Sequence, residues 1–122
     1  MPRVLVVEDE QNIRFLVAIV LQQKGYEVVE AESGPEALGI LNQDDRFDAI
    51  LSDLRMPKMD ALMYIEALKR EVPSIPVIIM SAHTTSAWAK EAVQQGVACL
   101  QKPFTRQQLV DILQHMTSTP HM

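Results

Sequence analysis

The chain has 122 residues, of which 48% are hydrophobic and 22% charged, the size and composition of one globular domain rather than a disordered segment. Its 11 basic residues against 16 acidic ones argue against a nucleic-acid groove or an anionic membrane surface, and no apolar run approaches the length of a membrane helix. The single Cys99 excludes an internal disulfide and suits a reducing compartment, so a soluble cytoplasmic domain is expected, with no membrane and no direct nucleic-acid contact.

Val4-Leu5-Val6-Val7 is a short apolar run that stops at Glu8-Asp9-Glu10 and predicts a buried strand. Residues 11–24 carry Ile13, Leu16, Val17, Val20 and Leu21 at helical spacing, and Gly25 is a natural C-terminal stop. Residues 26–31 read as a second, more polar strand nearer a sheet edge. Ser33-Gly34-Pro35-Glu36 opens a helix running to about Asn42, because proline is tolerated in a first turn where its missing N–H costs nothing. The run 47–53 then ends in one carboxylate, Asp53, shortly before Met56-Pro57. An unpaired charge inside a sheet is costly, so Asp53 needs a partner or a ligand.

A third helix is predicted through Leu62, Ile65, Leu68 and Lys69, with Asp60 as candidate N-cap and Pro73 and Pro76 beyond its end. Val77-Ile78-Ile79-Met80 is a fourth strand ending at Ser81-Ala82. Thr84-Thr85-Ser86 can cap a fourth helix that carries Trp88 and stops at Gly96. Residues 97–101 form a fifth strand, followed by Lys102-Pro103-Phe104. Thr105 caps a last helix carrying Leu109, Ile112, Leu113 and Met116. Residues 1–117 are then one domain, and 118–122 are a tail or the start of a linker.

Five strands alternating with five helices predict an α/β domain whose parallel sheet is covered on both faces through right-handed crossovers. In such a sheet the carboxyl ends of the strands share one edge, where ligands bind. Glu8 and Asp9 follow the first strand, Asp53 ends the third, Ser81 ends the fourth and Lys102 follows the fifth. Any one of these alone reads as a cap or a solvated charge; their joint placement on one edge points to a site. Three crowded acids repel unless a cation shares the site, and Mg²⁺ with oxygen ligands fits that set. A metal-held carboxylate can act as a nucleophile toward phosphorus, with the lysine as a point cation and the serine as a hydroxyl contact.

The motifs Val4-Leu5-Val6-Val7-Glu8-Asp9-Glu10, Asp53-Leu54-Arg55-Met56-Pro57-Lys58-Met59-Asp60, Ser81-Ala82 and Lys102-Pro103-Phe104 together resemble those of a receiver domain of a two-component response regulator, from Val4 to about Met116. The resemblance implies a flavodoxin-like (βα)5 three-layer sandwich with sheet order 2-1-3-4-5. It implies that Asp53 is the phosphoacceptor, a phosphorylated switch rather than an enzyme. Mg²⁺ would be held by Asp9, Asp53 and the Arg55 backbone carbonyl, with Glu8 acting through water. Ser81, the Ala82 N–H and Lys102 would contact the phosphate, with Lys102-Pro103 usually cis. The implied partners are a histidine kinase or phosphotransfer protein and a downstream protein or fused output domain. The latter would meet the face of the fourth helix, fifth strand and fifth helix, on a monomer or weak dimer. Ser81, Cys99 and Trp88 are the switch or partner candidates.

The chain departs from the family pattern at Cys99, which stands where an aromatic ring is usual, and at Ala61, where Gly is common. Arg55 and His83, two residues after Asp53 and Ser81, occupy positions that influence dephosphorylation in the family. Two other readings stand beside the switch: an aspartate-nucleophile phosphatase, for which Arg55 replaces the expected second acid, and a non-phosphorylated interaction module.

Overall fold

The structure, a computed structural model, describes residues 2–53, 61–82, 94 and 96–117. Its strands are β1 (Arg3–Val7), β2 (Glu27–Ala31), β3 (Ala49–Asp53), β4 (Val77–Ser81) and β5 (Ala98–Gln101). Its helices are α1 (Gln11–Gln23), α2 (Gly34–Gln43), α3 (Ala61–Glu71) and a C-terminal helix (Arg106–Thr117). The expected fourth helix with Trp88, the Asp60 cap and the tail 118–122 lie outside the described residues.

The strands form one parallel sheet in the order β2-β1-β3-β4-β5, as expected. The central β3 and β4 are buried along their whole length, whereas β2 at one edge is mostly exposed or half-buried. Side chains of a strand alternate between faces, so each strand feeds two separate cores. Leu5, Val7, Ile50, Val77 and Ile79 pack with Tyr64, Ile65 and Leu68 of α3 and Ala37 and Leu41 of α2. Val4, Val6, Leu51, Ile78 and Met80 pack with Val17, Val20 and Leu21 of α1 and Leu109 and Leu113 of the C-terminal helix.

Local sequence closes several helix ends. After α1, Gly25 takes φ +90; its N–H donates to Gln22 O at 3.1 Å and Tyr26 N–H donates to Leu21 O at 3.0 Å. That is a Schellman stop, and it explains why β2 begins at Glu27 rather than Tyr26: Tyr26 is buried as part of the turn. The Ser33 hydroxyl accepts from Glu36 N–H at 3.2 Å to start α2. Thr105 and Gln108 cap the C-terminal helix reciprocally, Gln108 N–H to Thr105 Oγ1 at 3.1 Å and Thr105 N–H to Gln108 Oε1 at 2.8 Å. Thr117, the last residue of the expected domain, is also the last residue of this helix and donates its hydroxyl to Leu113 O at 2.7 Å.

One expectation for α1 is corrected. Leu16, counted with the core-facing residues, is 62% exposed and lines an apolar groove of about 510 Å³ beside Pro103 and Phe104. Arg14 is buried in its stead, together with Val17, Ala18, Val20 and Leu21. The helix is apolar on almost every side, so spacing alone does not choose its inward face; the polar partners waiting for Arg14 at the sheet edge do.

At the end of β3 the Ser52 hydroxyl donates to Asp53 O at 2.8 Å and lies 2.8 Å from the Tyr64 hydroxyl, which is fully buried on α3. Burial, eased by the Ser52 contact, pushes the Tyr64 phenol up to about 12, so it stays protonated. Tyr64→Phe removes this bond and leaves the ring packing in place, and the expected loss is about 1–2 kcal/mol of folding stability in a denaturant titration. Leu68→Ala, a plain cavity in the same core, is expected to cost about 2–5 kcal/mol.

Candidate functional site

The register of the sheet brings the polar strand ends together. Val7 of β1 lies beside Ser52 of β3, so Glu8 and Asp53, the next residues, meet at the same edge. Glu8 is fully buried, Asp53 is 2% exposed and Ser81, the last residue of β4, is 8% exposed. Asp9 is exposed at the mouth. One carboxylate oxygen each from Glu8, Asp9 and Asp53 lies within 4.8 Å of the others.

Lys102 reaches this cluster from the far side of the sheet. Its Nζ lies 2.7 Å from Glu8 Oε1 and 3.6 Å from Asp53 Oδ2. Its backbone N–H donates to Ser81 O at 2.8 Å, which fastens the loop after β5 to the end of β4. The Lys102-Pro103 bond is cis, as the resemblance implied. Ala82 follows Ser81 at the exposed rim.

The electrostatics follow from burial. Loss of water pushes Glu8 up from 4.5 to about 7; the Lys102 hydrogen bond opposes this and the nearby Asp53 charge reinforces it. The second Glu8 oxygen accepts from Glu10 N–H at 3.2 Å, which closes the turn around Asp9. Three carboxylates against one ammonium leave two negative charges when all are ionised. All the clustered ligand atoms are hard oxygens, with no thiolate or imidazole among them. That donor set and residual charge fit a hard divalent cation such as Mg²⁺, with Glu8, Asp9 and Asp53 as the acids around it.

Glu8, Asp9, Asp53, Ser81, Ala82 and Lys102 are thus gathered on one edge. Arg55, His83 and Trp88 lie outside the described residues. Cys99, on β5 beside Ile79, is half-buried, and burial raises its thiol pKa, which keeps it protonated.

Two features escaped sequence reasoning. The Ser52–Tyr64 bond joins residues 12 apart whose patterns read simply as a strand and an apolar helix face. Arg14, 6% exposed, donates from Nη1 to Glu8 O at 2.9 Å and from Nε to Glu30 Oε1 at 3.1 Å. Its signal was present as an arginine inside the run Ile13-Arg14-Phe15-Leu16-Val17, but the spacing did not say which way it faced.

Comparison with known proteins places these features in a family. The response regulator receiver domain family matches residues 4–114. The transcriptional regulatory protein GlrR of Escherichia coli K12 is 40% identical over 106 residues, 86% of this chain and 24% of GlrR, so the chain spans about a quarter of that relative's length. The Vibrio cholerae chemotaxis protein CheY4 has a similar structure, with TM-score 0.85 and 34% identity, covering 95% of this chain and 98% of CheY4. The receiver domain of the sensor histidine kinase PA1611 of Pseudomonas aeruginosa also has TM-score 0.85, at 27% identity over 97% of this chain and 98% of that one, and its structure holds a magnesium ion in the active-site cleft. By its matched residues and its flavodoxin-like sheet, this chain belongs to the response regulator receiver domains of two-component signalling.

Proposed function

We propose that this domain is a phosphorylation-dependent switch of a two-component phosphorelay, in which Asp53 accepts a phosphoryl group from a histidine kinase or phosphotransfer protein. The observation that carries this reading is the meeting of Glu8, Asp9 and Asp53 within 4.8 Å, with the Lys102 ammonium against two of them. In the transfer, an Asp53 carboxylate oxygen forms the new P–O bond as the P–N bond of the donor phosphohistidine breaks. The departing imidazole nitrogen keeps the electron pair and can take up a proton. Such a reaction rests on positioning and charge neutralisation.

Asp9 and Asp53, with the Arg55 backbone carbonyl, would hold Mg²⁺, and Glu8 would act through a bound water. The cation would supply neutralisation of the charge that builds on the phosphoryl oxygens. Lys102 already lies at both buried acids and would turn its ammonium to the phosphate. The Ser81 hydroxyl and the Ala82 N–H would complete the grip. The domain acts as a phosphoacceptor that assists its own phosphorylation and dephosphorylation, not as an enzyme on other substrates.

Phosphate at Asp53 would bias the region carrying Ser81, Trp88 and Cys99, and a downstream protein or a fused output segment would read the altered face of the fourth helix, fifth strand and last helix. A fused segment is in keeping with GlrR, a transcriptional regulatory protein about four times as long. No helix among the described residues is long and apolar enough to cross a membrane, in keeping with action in the cytoplasm.

Incubation with a small phosphodonor and Mg²⁺ is expected to add one phosphoryl mass to the chain, with complete loss of the adduct in Asp53→Asn; an adduct that survives that substitution overturns the reading. The pH dependence is set by Glu8. Its folded pKa lies above the unfolded value, so in metal-free protein its contribution to stability is full below about 4.5 and lost as pH rises to about 7. A drop of roughly 3 kcal/mol across that window is expected in thermal or denaturant unfolding, and Glu8→Gln is expected to flatten it. Magnesium requires the ionised cluster, so its affinity is expected to fall as pH drops below about 7, by calorimetric titration.

A further inference from the structure

We propose that Arg14 is a positioning residue for the Glu8-Asp9 acid pair, a role that rests on the magnesium reading of the site above. Arg14 does not belong to the clustered acids and comes from the first turns of α1. Its side chain is only 7% exposed, and its guanidinium makes a bracket with three arms. Nη1 donates to the Glu8 backbone carbonyl at 2.9 Å, Nε to Glu30 Oε1 at 3.1 Å, and Nη2 lies 3.7 Å from Glu32 Oε1.

The bracket matters because of where Asp9 sits. Asp9 is exposed, on the turn between the end of β1 and the start of α1. That turn is braced at two levels. The Glu8 carboxylate accepts from Glu10 N–H at 3.2 Å, and the Glu8 carbonyl is held by Arg14. The Glu8 N–H donates to Ala31 O at 3.1 Å, beside the acids that anchor Arg14. Glu8, the residue that leads into Asp9, is therefore tied to β2 through its N–H and to α1 through its carbonyl.

Burying a guanidinium is costly, and an apolar residue of similar volume can stabilise a fold equally well. An arginine kept here earns its place by orienting a ligand-bearing turn, as outer-shell partners of metal ligands do. The planar fork holds its donors in a fixed geometry that meets a carbonyl and a carboxylate together, whereas a lysine ammonium is a point cation on a flexible stem.

Magnesium titration calorimetry at pH 8, where Glu8 is ionised, tests this. Arg14→Met is expected to weaken Mg²⁺ binding by roughly tenfold or more, with Arg14→Lys between it and the unaltered chain. Leu68→Ala, a core deletion on the opposite face of the sheet, lowers the melting temperature and is expected to leave the magnesium affinity unchanged, which separates positioning from general loss of stability. A folded Arg14→Met chain that binds Mg²⁺ within twofold of the unaltered chain overturns the inference. Should Arg14→Met not fold, Arg14→Lys and Glu30→Gln carry the test: weakened binding in both supports the bracket, and unchanged binding in both overturns it. If the unaltered chain takes up no Mg²⁺ at all, the proposed function fails first, and the inference with it.

Discussion

The contact between the buried Glu8 carboxylate and the Lys102 ammonium, 2.7 Å long, is the one on which the rest of the site depends. It joins residues 94 apart in sequence, one after the first strand and one after the last. Glu8 is fully buried and stands beside Asp53, so without a cation its charge would be expelled as a protonated acid. The ammonium makes a partly ionised cluster tenable. Because it also lies 3.6 Å from Asp53, it keeps the phosphoacceptor candidate in the same electrostatic unit. A divalent ion entering such a cluster finds the charge it needs already assembled.

The parallel sheet delivers these groups. Every strand points the same way, so each apolar run ends at the same edge, and a single polar residue at its end adds to a shared site. The central strands are clamped between two apolar cores and have little freedom to slide. A slip of one residue would turn Asp53 to the opposite face, away from Glu8. Core packing and site geometry are therefore one constraint seen from two ends.

Around that edge the backbone is held by buried polar contacts rather than by apolar packing alone. Arg14 grips the Glu8 carbonyl, Ser52 and Tyr64 hold the end of β3, and Lys102 N–H is tied to Ser81 O. Each contact joins the end of one strand to a different element. On β5, Cys99 offers a small, protonated, half-buried thiol.

The apolar runs, the glycine stops and the caps determined the element order, the parallel sheet and the edge on which chemistry gathers. Those signals are local, and the crossover rule sets the handedness of the connections, while the strand order 2-1-3-4-5 came from the resemblance to receiver domains. Asp53 was legible for the same reason: a lone acid ending an apolar run has few explanations. What tertiary structure alone decided was orientation and pairing. Only in three dimensions does α1 turn Arg14 inward and Leu16 outward, because the helix is apolar on nearly all sides and the choice is made by the Glu8 carbonyl and Glu30 carboxylate opposite it. Likewise, no spacing in the chain says that Lys102 pairs with Glu8, or that Tyr64 meets Ser52. Such partners are chosen by distance across the folded sheet and by the cost of leaving a buried polar group unmatched.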